Sequence, residues 1–193
     1  MTPLADSSLG ALVERLASTD PAPGAGPSAA WTCALAAALV EMVSAVALRK
    51  DPPDAAAAER RGARAAELRA AALHLADEDV TAYTAVLEVL GRREEPGHGS
   101  RLRAALSQAA DPPLRIVELA AELTGLAADA AAEARGGVRG EAMTAAILAE
   151  AVVRAGLPLV DLNLASAPDD PRRARVRQLA EAAKGNLGRA LEG

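Results

Sequence analysis

The sequence predicts an all-α fold, an antiparallel bundle of about six helices with one long helix. Three observations lead there. Every long segment repeats its apolar residues at helical spacing. Alanine dominates the 51% hydrophobic content of the 193 residues, and alanine is the best helix former. The most strand-like segment, residues 157–164, alternates imperfectly and has no second strand to pair with.

Each element follows from local signals. Leu9, Leu12, Val13 and Leu16 share one face of a short first helix, with Ser7 or Ser8 as its N-cap. The loop 19–26 ends it, and Pro27 suits the first position of a second helix, where a missing N–H is no loss. Leu35, Leu39, Met42, Val43 and Val46 form a stripe on that helix, which Asp51-Pro52-Pro53 stops near Lys50. Asp54 caps a third helix running to Leu90, roughly 55 Å at 1.5 Å per residue. Its second half carries Leu73, Val80, Tyr83, Val86, Leu87 and Leu90.

After the loop around residues 91–99, Ser100 opens a fourth helix. Asp111 as cap and Pro112 as first residue kink it or start another, with Leu114, Val117, Leu123 and Leu126 inward. Arg135-Gly136-Gly137-Val138-Arg139-Gly140 is a second Gly-rich break. Beyond it a helix starts around Glu141, with Met143, Ile147 and Ala151 aligned. We read 157–164 as that helix continuing across Pro158. Asp170 caps a last helix from Pro171 to about Leu191, with Val176, Leu179, Ala183 and Leu187 inward. Neither repeat nor domain boundary is visible, so residues 1–193 read as a single helical domain.

Composition narrows the function. An alanine core buries little area per residue, and burial gives only about 25 cal/mol per Å². A second buried surface would help, so a homodimer is expected. The net charge of −5 argues against a nucleic-acid partner. The one basic patch, Arg172-Arg173-Ala174-Arg175-Val176-Arg177, reads most simply as a solvated helix face. Residues 29–47 come nearest to a membrane span, but Glu41 interrupts them, and no membrane partner is expected. The N-terminus lacks a signal-peptide layout, so a cytoplasmic location is expected. Cys33, His74 and His98 are too scattered to suggest a metal site.

Four places could carry chemistry. The run Asp20-Pro21-Ala22-Pro23-Gly24-Ala25-Gly26-Pro27-Ser28 makes a sharp turn into a helix. Such a turn offers backbone N–H groups to anions and polar ligand groups. It is not a nucleotide P-loop, since no Gly-Lys-Ser/Thr follows and no strand precedes it. Asp77-Glu78-Asp79 sets three carboxylates in a row, which can raise a pKa for acid or base work. They point about 100° apart, so at most one or two can face a cleft, and a solvated surface is the plainer reading. Glu141, after the second Gly-rich break, reads as a helix-dipole cap or an acid/base group. Asn163, an amide in an apolar stretch, is either a link between helices or a ligand contact. Trp31 could stack on a flat ligand, but filling the core is the simpler role. Ser28 and Cys33 show no histidine placed to activate them.

The order of these features resembles the formiminotransferase-cyclodeaminase C-terminal family, which includes stand-alone methenyltetrahydrofolate cyclohydrolases. Leu-Ala-Ser-Thr-Asp-Pro-Ala-Pro-Gly-Ala-Gly (16–26), before an Ala-rich helix ending Met42-Val43, is similar to its Pro-x-Pro-Gly-Gly-Gly-Ser opening. Leu75-Ala76-Asp77-Glu78-Asp79 with Tyr83 resembles its Leu-Ala-Asp-Glu-Asp motif and trailing aromatic. Ala109-Ala110-Asp111-Pro112-Pro113-Leu114, the segment 145–151 and Val160-Asp161-Leu162-Asn163-Leu164 follow in the family's order.

The resemblance implies an all-α dimer acting on a reduced folate, with no cofactor and no metal. It makes Asp77, Asp79 and Glu141 candidates for acid/base work. Pro23, Gly24, Ala25, Gly26, Ser28 and Asn163 become candidates for binding the folate. Water would attack a methenyl carbon (cyclohydrolase), or N10 a formimino carbon with loss of ammonia (cyclodeaminase). Standing alone, the chain leans to cyclohydrolase.

The sequence also departs from the family. Ala25 stands for the middle glycine and restricts the backbone there. Pro27 displaces the serine and removes a donor. Gly140-Glu141 replaces a Ser-Asp pair, and Gly91-Arg92-Arg93 replaces a Leu-Pro stretch. These changes keep open a second reading, a non-catalytic helical dimer that serves as scaffold or binds another small molecule.

Overall fold

The computed structural model describes residues 3–49 and 54–192. Those residues contain no strand. After a 3-10 turn at Leu4–Asp6 come α1 (Leu9–Leu16), α2 (Ala25–Leu48), α3 (Ala55–Leu90) and α4 (His98–Ala109). Then follow α5 (Asp111–Glu133), α6 (Gly137–Asn163) and α7 (Pro171–Glu192). The all-α bundle is as the periodicity predicts, and helix runs through 157–163, with Leu164 as the C-cap. The stop at Asp51-Pro52-Pro53 lies outside the described residues.

Side chains set several boundaries as expected. Ser8 Oγ accepts from Ala11 N at 3.2 Å, and Asp54 Oδ1 accepts from Ala57 N at 2.8 Å. Asp170 Oδ1 accepts from Arg172 N at 3.0 Å, capping α7. Other boundaries differ. α2 begins at Ala25, so Pro27 is its third residue, still among the positions whose N–H has no helical acceptor. α4 begins at His98, after Gly97 at φ 76°, and Ser100 Oγ only donates back to Gly97 O at 2.8 Å. Asp111 is the first residue of α5 rather than its cap, and its carboxylate accepts from Arg172 Nη1 at 2.7 Å. α6 begins at Gly137, after Gly136 at φ 64°, so the helix absorbs the second half of the Gly-rich break.

The packing also departs from the stripe readings. Leu35 is 58% exposed and Met42 is also exposed, while Ala30, Cys33, Ala36, Ala37, Val40 and Val43 point inward. The inner face of α2 is therefore the alanine face, which lets neighbouring helices come close. On α1 only Leu12 is buried, and Leu9, Val13 and Leu16 stay exposed. α2 packs on α3, α5 and α6, and α5 packs on α6 and α7. Arg61, buried on α3, donates to Ser44 of α2 at 3.2 Å and Glu133 of α5 at 2.8 Å. α2 and α6 are long and apolar enough to cross a membrane by length and composition. Both lie in the middle of the helix packing.

Candidate functional site

The three consecutive carboxylates go three ways, as their angular spacing requires. Asp77 Oδ1 accepts from Leu4 N at 3.0 Å and anchors the N-terminal turn to α3. Glu78 bonds His74 Nε2 at 3.1 Å and also Arg115 on α5. Asp79 alone enters a cavity of about 330 Å³. That volume lies at the low end of those that hold small organic ligands.

The cavity forms where four segments meet. Gly24, Ala25 and Gly26 bring the start of α2, and Asp79 and Tyr83 bring one face of α3. Ala109 and Pro113 come from the α4–α5 corner, and Leu159, Leu162 and Asn163 from the end of α6. Asp79 and Tyr83 are four residues apart, so they lie one above the other on the helix surface. Asn163 Nδ2 donates to Ala109 O at 2.8 Å and ties the α6 end to the corner. Asn163 thus links helices and lines the cavity at once.

Gly26 shows why the turn has its sequence. A Cβ there would overlap all three heavy atoms of the Asp79 carboxylate. The carboxylate occupies the space that a side chain at residue 26 would fill, so glycine there leaves room for Asp79 in this position. The contact also half-buries Asp79, and loss of water pushes its pKa from 3.8 up to about 6. A carboxyl tuned to that range exchanges protons readily near neutral pH.

The other predicted residues fall outside this cavity. Pro23 is buried in the turn, after a cis bond from Ala22. Ser28 Oγ donates to Gly24 O at 2.8 Å and holds the first turn of α2 closed. Glu141 is exposed, a full turn inside α6, beyond the reach of the helix-end field. Asp77 spends its carboxylate on the N-terminal turn. Cys33 is buried with its thiol pushed up to about 12, and Trp31 packs against the core. Sequence reasoning missed Leu159, Leu162, Ala109 and Pro113, whose apolar character gave no signal of a shared wall. Tyr83 entered as an apolar position of the third helix and as a trailing aromatic, although its spacing from Asp79 already placed the two together.

The comparisons with known proteins bear on this arrangement. A family model described as formiminotransferase-cyclodeaminase matches residues 8–182. The chain belongs to that family. Among solved structures, formiminotetrahydrofolate cyclodeaminase from Thermotoga maritima aligns with a TM-score of 0.84 at 24% identity. The alignment covers 96% of this chain and 94% of that one, a likeness of fold. No curated protein sequence matches the chain.

The departures of this cyclodeaminase-family member can now be placed. Ala25 is helical, a conformation alanine adopts without strain, so the missing middle glycine does not distort the turn. Pro27 sits where α2 needs no N–H acceptor. The one glycine whose space is filled by the site, Gly26, is present. Gly140 and Glu141, which replace the Ser-Asp pair, line no part of the cavity.

Proposed function

We propose that this chain is a folate-active enzyme of one-carbon metabolism, with Asp79 as its acid/base group. The observation that carries the reading is the half-buried Asp79 carboxyl packed against Gly26 in a cavity between helices. Family membership supplies the substrate class, a reduced folate carrying a one-carbon unit on N5 or between N5 and N10.

Methenyltetrahydrofolate cyclohydrolase is the preferred reaction. Asp79, as carboxylate, accepts a proton as water adds to the methenyl carbon. The adduct is tetrahedral. Asp79 then returns the proton to N5 as the C–N5 bond breaks, and the hydroxyl proton leaves to solvent. The product is a formyl group on N10. Positioning and one proton relay suffice, and general acid–base catalysis of this kind contributes about 10²–10⁴-fold. In the cyclodeaminase variant N10 replaces water as the attacking group, ammonia leaves, and Asp79 keeps the same role. Gly24, Ala25, Gly26 and Asn163 border the ligand.

A homodimer belongs to this proposal. Leu35 and Met42 on α2 and Ile147 on α6 leave large apolar side chains exposed. A monomeric mass in light scattering at micromolar concentration would remove it.

The function is tested by the fall in methenyltetrahydrofolate absorbance on adding protein. A rate above buffer supports it. No rate, together with no folate binding by calorimetry, favours a scaffold instead.

A further inference from the structure

The basic cluster at the start of α7 is not uniformly a solvated face. Arg175 reaches Glu118 at 3.4 Å, and both side chains are exposed. Arg172 is mostly withdrawn from solvent and fully engaged. Its Nε and Nη2 donate to the two carboxylate oxygens of Asp170 at 3.0 and 2.8 Å. Nη1 donates to Ser107 O at 2.8 Å and Asp111 Oδ1 at 2.7 Å, and Nη2 to Ser107 Oγ at 2.8 Å. These contacts use all five N–H donors that a guanidinium has.

Ser107 and Asp111 flank the α4–α5 corner, whose Ala109 and Pro113 line the cavity. That corner needs donors from outside. In a continuous helix Ala109 O would accept from residue 113, but Pro113 has no N–H. Asn163 donates to that carbonyl from α6, and Arg172 donates to Ser107 O from α7. Two helices thus hold the corner from two sides. Asn163 lines the cavity, while Arg172 stands behind its wall. Lysine would keep the charge, but its single nitrogen cannot span Asp170, Ser107 and Asp111 together.

We infer that Arg172 is a positioning residue that sets the α4–α5 corner against the cavity. Through Ala109 and Pro113 it fixes the width of the space in which a ligand meets Asp79. Its part in the reaction rests on the proposed function; its hold on the corner does not. A loosened corner admits water to the cavity, and the Asp79 pKa then falls from about 6 toward its ordinary 3.8. Loss of a cation acts in the opposite sense, since a nearby positive charge favours the carboxylate. The direction of the change therefore separates positioning from charge.

The experiment compares the full chain with Arg172→Gln, Arg172→Lys and Arg175→Gln. It measures kcat and KM for methenyltetrahydrofolate, and the Asp79 titration midpoint by carbon NMR. In Arg172→Gln, KM should rise at least about fivefold with kcat within about threefold, the pattern of lost binding rather than lost chemistry. The Asp79 midpoint should fall by at least about half a pH unit. Arg172→Lys should change in the same directions, and it carries the test if the glutamine variant does not fold. Arg175→Gln should match the parent. An unmoved KM, a midpoint that stays or rises, or equal effects in Arg175→Gln overturns the inference while leaving an active parent's function intact. If the parent neither binds nor turns over the folate, the functional reading fails, and the Asp79 midpoint alone decides the inference.

Discussion

Two glycine-rich segments open long helices in this molecule, and they do different work. The start of α2 carries Gly24 and Gly26, and the start of α6 carries Gly136, Gly137 and Gly140. A Cβ at Gly26 would strike the Asp79 carboxylate, while one at Gly136, Gly137 or Gly140 would meet nothing within 4 Å. Gly136 serves its own backbone, at φ 64°. Gly26 serves another helix. A glycine-rich loop marks a site only through what stands opposite, and a sequence does not display that.

The largest expected effect breaks the first loop and spares the second. Gly26→Ala forces Asp79 or the α2 start to move by the better part of an ångström. Turnover should fall about 10²-fold or more, as misplaced reacting groups do. Gly137→Ala should keep turnover within about twofold and match or slightly raise stability, since alanine is the better helix former. Equal losses in both variants would erase the contrast.

The second effect is the cost of the site. The folded pKa of Asp79, about 6, lies above its ordinary 3.8. The folded chain therefore keeps a proton that the unfolded chain releases over that interval. Stability from this group is full below about pH 4 and falls as pH rises through 6, by about 3 kcal/mol. Asp79→Asn should accordingly be more stable than the parent at pH 7.5, by denaturation midpoint, with the gap closing near pH 4. The rate should fall on the acid side through about pH 6, as the carboxyl takes up its proton. A variant destabilised at pH 7.5 would show that Asp79 is a structural anchor.

Smaller effects sharpen the contrast. Asp77→Asn weakens the anchor of Leu4 N and should cost about 1 kcal/mol with turnover within about threefold. Glu141→Gln, on the exposed start of α6, should change stability by less than about 0.5 kcal/mol and leave the rate alone. A hundredfold loss there would bring α6 back into the site.

Much of the fold was legible because it rests on local chemistry. Asp54 caps α3 and Asp170 caps α7 through their own neighbours' N–H groups, and such contacts are written in adjacent residues. The packing was less legible. An alanine-rich helix has apolar residues all round, so periodicity put Leu35 and Met42 on one stripe with Val43, yet Val43 turns inward with the alanine face and the other two stay exposed. The α6 start was misplaced because Gly137 and Gly140 suggest a break, yet the backbone there is helical. At the site, spacing said that the carboxylates diverge but not which one enters the cavity. Asp77 and Asp79 differ by roughly 200° around α3, and only the positions of Leu4 and Gly26 tell them apart. The bond from Asn163 to Ala109 spans 54 residues and has no local signature.

The central claim is that the Asp79 carboxyl, lodged against Gly26, moves the proton in a folate one-carbon reaction. Its most direct test is the methenyltetrahydrofolate absorbance decay with the parent chain and with Asp79→Asn at equal concentration and pH 7.5. The account predicts a measurable parent rate and a fall of at least about 10²-fold in kcat for the variant, with its helical signal intact. An active parent and an unchanged variant rate would contradict it.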